Sequence, residues 1–349
     1  MIRVLVVDDS PFFRKAIARI LEKDPEIEVA GFATNGLEAV EKVMELSPDV
    51  VTLDLEMPIA DGFTAIKEIM KKKPTPILVV SALTREGAKE TIKALELGAV
   101  DFVFKNVDKG ILGFYDMESD LINKVKSVAK KKPIYQVKEA KGTQIDSFVM
   151  DRKRDFSVIG IGSSTGGPNA LKVLLGNLKK TEVSQPILIA QHMPPLFTAM
   201  LAERLNEVSE LHVKEAEDGE PVEESVVYVA PGGKVMEVSN KGKVSIRIRE
   251  PEPTVIYRPS VDILFKSLAD VYGGGTLGVV LTGMGNDGAQ GSAMIKSRGG
   301  VVIVESEDTA VVYGMPRSVY EKGLADFKVP LQEIPDLIKK LVNRGNVKK

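Results

Sequence analysis

Cysteine and tryptophan are absent from this chain of 349 residues, and only two histidines occur, His192 and His212. Without cysteine there can be no disulfide, no thiolate nucleophile and no cysteine-ligated zinc, a composition that suits a reducing compartment such as the cytosol. With two histidines, any imidazole-dependent chemistry has at most two candidates. An excess of one charge is missing as well: 47 basic residues face 49 acidic ones, for a net charge of -2. That balance argues against a protein that coats nucleic acid. Long apolar runs are lacking too. The first, IRVLVV at 2–7, stops at Asp8, too short to cross a bilayer, and no basic stretch, apolar stretch and small-residue cleavage site mark a leader. The expectation is a cytoplasmic protein with no nucleic-acid partner and no membrane insertion.

What is present is strand and helix in alternation. Short β-branched runs at 2–7, 27–33, 50–53, 77–80 and 101–104 are separated by amphipathic stretches near 11–22, 35–46, 61–72 and 86–97, with a last helix near 117–130. Such alternation implies a parallel sheet covered on both faces. The alternation resumes at FSVIGI and continues through PILIAQ (186–191), SVVYVA (225–230), TLGVVLT (276–282) and GVVIVE (300–305), with helices near 168–178, 196–208, 260–272 and 288–298. KVMEVSNKGKVSIRIRE differs: two period-2 runs flank Asn240-Lys241-Gly242, a hairpin signal. The length suits two domains of roughly 100–200 residues each. We therefore expect two doubly wound α/β domains, residues 1–125 and 155–345, the second with an antiparallel hairpin insert. The basic, aperiodic stretch 126–154 between them reads as a linker.

In a doubly wound sheet the carboxyl ends of the strands line the ligand crevice. Asp8 and Asp9 follow the first strand, Asp54 the third, Ser81 ends the fourth and Lys105 the fifth. Any one of these could be a helix cap or a solvated charge, but five of them at one edge describe a pocket whose oxygen donors suit Mg²⁺. VDDS, LDLEMPIADG, SAL and FKN resemble the receiver domains of two-component response regulators, which have a flavodoxin-like fold. The resemblance implies that Asp54 accepts a phosphoryl group from a chemotaxis histidine kinase and that Asp8 and Asp9, with Asp54, hold Mg²⁺. It further implies that Ser81 and Lys105 contact the phosphoryl oxygens and that Phe102 is an aromatic switch. Asn106 departs from the pattern, where proline is usual.

In the second half, GIGSSTGGPN at 160–169 follows an apolar run. A Walker A loop fails, because Pro168-Asn169 follows Gly167 where Lys-Ser or Lys-Thr is required. A dinucleotide fingerprint is weak: Thr165 replaces a glycine, and the next strand closes on His192 rather than on an acid. The same residues satisfy G-x-S-x-G as Gly162-Ser163-Ser164-Thr165-Gly166, a turn that can expose Ser164 at a strand-to-helix junction. His192 closes the next predicted strand and could serve as base. Asp287, in LTGMGNDGAQG, could orient the imidazole, although Asn-Asp-Gly is also an ordinary turn in a glycine-rich loop. His212 opens a predicted strand and reads as structural. The order Ser, His, Asp is not that of the α/β-hydrolases.

With these residues in view, GSSTGGP, QHMPP, VYVAPGG, YRPSVD, LTGMGNDGAQG and AVVYGMPR resemble the chemotaxis protein-glutamate methylesterases, in which a receiver precedes a Rossmann-like catalytic domain. The resemblance implies a phosphorylation-activated serine hydrolase that demethylates glutamate methyl esters on methyl-accepting chemoreceptors, deamidates glutamines and is recruited to chemoreceptor clusters. Ser164 is then nucleophile, His192 base and Asp287 orienter, with Thr165 and Met284 as oxyanion donors and no cofactor in this domain. Lys234 departs from the pattern, histidine being frequent near that position. The rival readings are a response regulator with another hydrolase or a nucleotide-binding output. A transcription regulator would need a basic helix-turn-helix, and none is visible.

Overall fold

The computed structural model describes residues 1–82, 84–105, 110–129 and 155–343. Asn106 and most of the stretch read as a linker lie outside them. The chain divides into two compact units, Met1–Gln136 and Val137–Lys349.

The first unit carries five parallel strands, β1 (Ile2–Val7), β2 (Ile27–Ala33), β3 (Val50–Leu53), β4 (Ile77–Ala82) and β5 (Asp101–Lys105), in the order β2-β1-β3-β4-β5. The helices are α1 (Pro11–Leu21), α2 (Gly36–Leu46), α3 (Gly62–Lys72), α4 (Arg85–Leu97) and α5 (Gly110–Val128). Asn35, Asp61 and Thr84 start α2, α3 and α4 by accepting the amides of Glu38, Thr64 and Gly87, and Pro11 starts α1 with a residue that has no amide to satisfy. Register places the site: Val7 pairs with Leu53, so the next residues, Asp8 and Asp54, emerge side by side. Ala82 likewise pairs with Lys105. Helix α5 runs through Val128, so residues 126–128 of the stretch read as linker are helical, and Lys126 is anchored 3.0 Å from Asp24 and 2.9 Å from Glu26.

In the second unit seven parallel strands run in the order β14-β13-β12-β6-β7-β9-β8. They are β6 (Val158–Ser163), β7 (Ile187–Gln191), β8 (His212–Glu215), β9 (Val226–Val229), β12 (Thr276–Val280), β13 (Val301–Glu305) and β14 (Phe327–Val329). The expected hairpin is β10 (Val235–Asn240) with β11 (Val244–Arg249), antiparallel. Helices α6 (Gly167–Gly176), α7 (Phe197–Val208), α8 (Val261–Tyr272), α9 (Ala289–Ser297), α10 (Met315–Glu321) and α11 (Ile334–Val342) complete the unit.

Strands β6, β7, β12 and β13 are buried along their whole length, and each fully buried Val, Ile or Leu there contributes roughly 1.5–3 kcal/mol. Helix α8 lies unusually close to this sheet. A Cβ on Gly162 would fall 2.3 Å from Val261 Cγ1, so only glycine lets the first turn of α8 reach the carboxyl edge of β6. That approach brings backbone amides into the crevice.

Candidate active site

Ser163 ends β6 and pairs with Gln191, the last residue of β7, so Ser164 and His192 leave adjacent strands together; His192 N–H extends the ladder to Ser163 O at 3.0 Å. The two serines have different surroundings. Ser163 is fully buried and its hydroxyl donates to Gln191 Oε1 at 2.6 Å, whereas Ser164 is half-buried at the loop before α6. Gln191 Nε2 in turn donates to Ser164 O at 3.0 Å. On the other side, Ser164 N–H donates to Thr282 O at 3.0 Å. Gly283 packs directly beneath Ser164, for a Cβ there would lie 2.8 Å from Ser164 Cβ. Met284 is the next residue, half-buried, and Thr165 is the next after Ser164, buried. Thr165 thus follows the candidate nucleophile in the chain, and Met284 follows the glycine that packs against it.

His192 Nε2 lies 2.8 Å from Asp287 Oδ2, which leaves Nδ1 as the ring nitrogen open to a hydroxyl proton. Asp287 is not the loose turn residue that Asn-Asp-Gly suggests. Only 2% exposed, it accepts the amides of Val261 at 2.7 Å, Asp262 at 2.9 Å and Gly288 at 3.1 Å, and the Ser260 hydroxyl at 3.2 Å. Val261 and Asp262 open α8, so the carboxylate sits on a helix N-terminus, where amide dipoles favour negative charge. Burial would raise the Asp287 pKa, but the His192 bond and charge and the Asp262 and Val261 amides outweigh it and hold the carboxyl below its ordinary value. Asp262 goes the other way: burial, then proximity to Asp287, push it up to about 6 against the amides it accepts.

Tyr257 stacks on the His192 ring, centroids 4.7 Å apart and planes 11° off parallel. With Ser260, Val261 and Asp262 it explains why YRPSVD matters: the segment walls the imidazole on one side and anchors its aspartate on the other. No role for these residues is read from the sequence alone; a serine N-cap ahead of an acidic first turn is the signal that marks where α8 begins. His212 is exposed at the amino end of edge strand β8, far from the carboxyl edge where His192 lies. Lys234 is half-buried and pairs with Glu250, while the preceding Gly232 abuts the backbone of Pro194, just after His192.

In the first unit, Asp8, Asp9, Ser10, Phe13, Asp54, Leu55, Glu56, Ser81, Glu90 and Lys105 line a cavity of about 310 Å³. Lys105 Nζ bridges Asp8, at 2.8 Å, and Asp54. Burial disfavours the charges of Asp54 and Lys105. It leaves Asp54, which faces Asp8 as well as Lys105, above its ordinary pKa, whereas the two carboxylates outweigh it at Lys105 and raise that group. Asp8, Asp9 and Asp54 each offer an oxygen within 4.8 Å of the others. Three hard anionic donors so placed fit a Mg²⁺ ion. Ser81 Oγ donates to Gly87 O at 3.3 Å, and Phe102, buried on β5, packs edge-on to Phe104 with centroids 5.1 Å apart.

One unit thus holds an acidic pocket bridged by a lysine, and the other a serine, a histidine and an aspartate at the carboxyl edges of β6, β7 and β12; together they define a hydrolase-type unit joined to a phosphoacceptor-type unit. Comparison with known proteins names the family. Residues 159–338 match the CheB methylesterase family and residues 4–112 the response regulator receiver domain. The protein-glutamate methylesterase/protein-glutamine glutaminase of Archaeoglobus fulgidus is 46% identical over 341 residues, covering 96% of this chain and 97% of its own. The protein of the same name from Thermotoga maritima is 44% identical, covering 98% and 99%. The crystal structure of the Thermotoga maritima CheB methylesterase catalytic domain covers 54% of this chain and 100% of its own, with 44% identity and a TM-score of 0.52. The chain belongs to the CheB methylesterase family and carries a response regulator receiver domain ahead of the catalytic one. Among the described residues no helix is long and apolar enough to cross a membrane.

Proposed function

We propose that the protein is a protein-glutamate methylesterase and protein-glutamine glutaminase of chemoreceptors, switched by phosphorylation of Asp54. The observation that carries this reading is the His192–Asp287 pair, 2.8 Å apart, beside the half-buried Ser164 on adjacent parallel strands. Ser164 Oγ attacks the γ-carbonyl of a glutamyl methyl ester while His192 Nδ1 takes its proton. The C–O bond to the methoxy group breaks, the imidazolium returns the proton, and methanol leaves. Water, deprotonated by the same imidazole, then splits the acyl-serine to glutamate. With a glutaminyl side chain the leaving group is ammonia. Asp287, ionised in its nest of amides, fixes the tautomer and stabilises the imidazolium. The Thr165 and Met284 amides serve the oxyanion, whose removal from water makes such donors effective.

In the receiver, Asp8, Asp9 and Asp54 hold Mg²⁺, which supplies positive charge for an incoming phosphoryl group. Asp54 is the acceptor, with a histidine kinase as donor. Lys105 and Ser81 contact the phosphoryl oxygens, and Phe102 reports the change. The receiver runs from residue 1 through the end of α5 at Val128, and residues 155–345 form the catalytic domain, joined by the linker between them. The deciding experiment measures methanol release from methylated receptor by the full chain, with and without acetyl phosphate. Release that rises with the phosphodonor is expected; no release in either case would overturn the reading.

A further inference from the structure

Glu305, the last residue of β13, is a fully buried carboxylate that the chemistry above does not use. Its Oε2 accepts the amide of Thr282 at 2.8 Å and its Oε1 the Thr309 hydroxyl at 3.0 Å. Thr282 is a junction. Its carbonyl accepts the Ser164 amide at 3.0 Å, its hydroxyl donates to Thr165 O at 2.9 Å, and the same hydroxyl accepts Val312 N–H at 3.0 Å. The next amide, of Gly283, donates to Val312 O at 2.9 Å and precedes Met284. The carbonyl and hydroxyl of Thr282 thus hold the nucleophile loop, its amide is held by Glu305, and Val312, which donates to its hydroxyl, also accepts the Gly283 amide that leads to Met284.

We propose that Glu305 is a positioning residue for ester hydrolysis: through Thr282 it fixes the spacing between the peptide of Ser164 and Thr165 and that of Gly283 and Met284, the two backbones between which a tetrahedral oxyanion forms. This rests on the reading of Ser164 as nucleophile. The Gly283 amide, which shares its peptide unit with Thr282 O, donates to Val312 O, and this polarises the carbonyl that accepts the Ser164 amide. The role asks for acceptors, not for a proton, because both bonds to Glu305 shown here are donated to it. Glutamine reproduces them, its oxygen taking the Thr282 amide and its NH₂ turning to the Thr309 oxygen.

The test compares Glu305→Gln and Glu305→Ala in the full chain with acetyl phosphate, following methanol release from methylated receptor and thermal unfolding. Losing one oxyanion donor costs about 10²–10³ in kcat, so a displaced pair should cost roughly 10- to 100-fold in Glu305→Ala. KM should be unchanged, and Glu305→Gln should restore most of the rate. Should Glu305→Ala fail to fold, Thr282→Val and Thr282→Ser pose the same question, with the valine variant slow and the serine variant near normal. An unreduced kcat in the folded variants, a loss confined to KM, or a Glu305→Gln as slow as Glu305→Ala would each overturn the proposal. Labelling of Ser164 by a fluorophosphonate, which loses fluoride to leave a tetrahedral phosphonyl-serine whose P=O oxygen occupies the oxyanion site, needs no receptor. It should slow in parallel, so that a wild-type chain that labels but releases no methanol counts against the proposed substrate and not against the role of Glu305.

Discussion

Asp287 Oδ2 touches two donors at once, His192 Nε2 at 2.8 Å and the Val261 amide at 2.7 Å. The carboxylate that orients the imidazole is also the anion that caps α8. Asp287→Asn would turn an NH₂ toward one of these donors or favour the wrong tautomer, a change worth about 10⁴ in the serine proteases. Here, in a rigid and buried setting, a kcat loss of about 10³–10⁴ is expected together with a lower melting temperature. A loss under tenfold would assign Asp287 to the turn alone.

The neighbouring serines should part company. Ser164→Ala should abolish methanol release with the fold intact. Ser163→Ala leaves the buried Gln191 Oε1 unpaired, a cost of about 1–3 kcal/mol in stability, but should keep turnover within a few fold. The reverse pattern would move the nucleophile by one residue.

Tyr257→Ala should slow turnover by about 2- to 10-fold, the rate equivalent of a stacking contact worth ~0.5–1.5 kcal/mol, while Tyr257→Phe keeps the stack and the rate. Equal losses in both variants would point to the hydroxyl instead.

Opposite shifts at two adjacent carboxyls give a pH signature. Asp287, depressed by His192 and amides against burial, adds stability above its unfolded value of 3.8 and loses it as pH falls through its lowered pKa. Asp262, raised to about 6 chiefly by burial, holds its proton longer in the fold than in the unfolded chain, so between 3.8 and about 6 stability falls as pH rises. Asp262→Asn keeps an acceptor for the Gly291 amide and removes that decline. Its melting temperature should exceed that of the parent above pH 6 and converge with it below pH 4. A difference that ignores pH would refute the assignment.

Metal removal should separate the two units. EDTA should stop phosphoryl incorporation from acetyl phosphate, as should Asp54→Asn, yet leave untouched the methanol release of a fragment starting at Asp155, a span matching a relative's catalytic domain crystallised alone. The fragment should outpace the unphosphorylated full chain, by roughly 100-fold if the receiver keeps the site closed about 99% of the time. A fragment no faster than the full chain would exclude simple occlusion.

Much of this was legible because the strands are short and continuous apolar runs, and parallel topology then places their last residues on one edge. Asp8, Asp54, Ser164 and His192 follow from that rule alone. The three-residue β14 and the seven-residue α10 are too short to carry a clear pattern, whereas α11 is strongly amphipathic and is legible in the sequence, although the expectations above leave it out. Tyr257 and Glu305 are invisible for a different reason: a stacking ring and a buried acceptor act through partners far away in the chain, His192 for the one and Thr282 for the other, and no local spacing encodes such a meeting. Asp287 is legible as a residue after β12, but the rigidity of its loop is not, because the amides that hold its carboxylate belong to α8.

Strand β12 slots between β6 and β13 although it is made long after β6. On a ribosome, Ser164 and His192 therefore emerge well before Thr282, Asp287 and Glu305 exist. A nascent or truncated chain ending short of β12 carries Ser164 and His192 but lacks the carboxylate that bonds the imidazole. The order of the strands thus defers the meeting of His192 with Asp287 until β12 and the loop after it have been made.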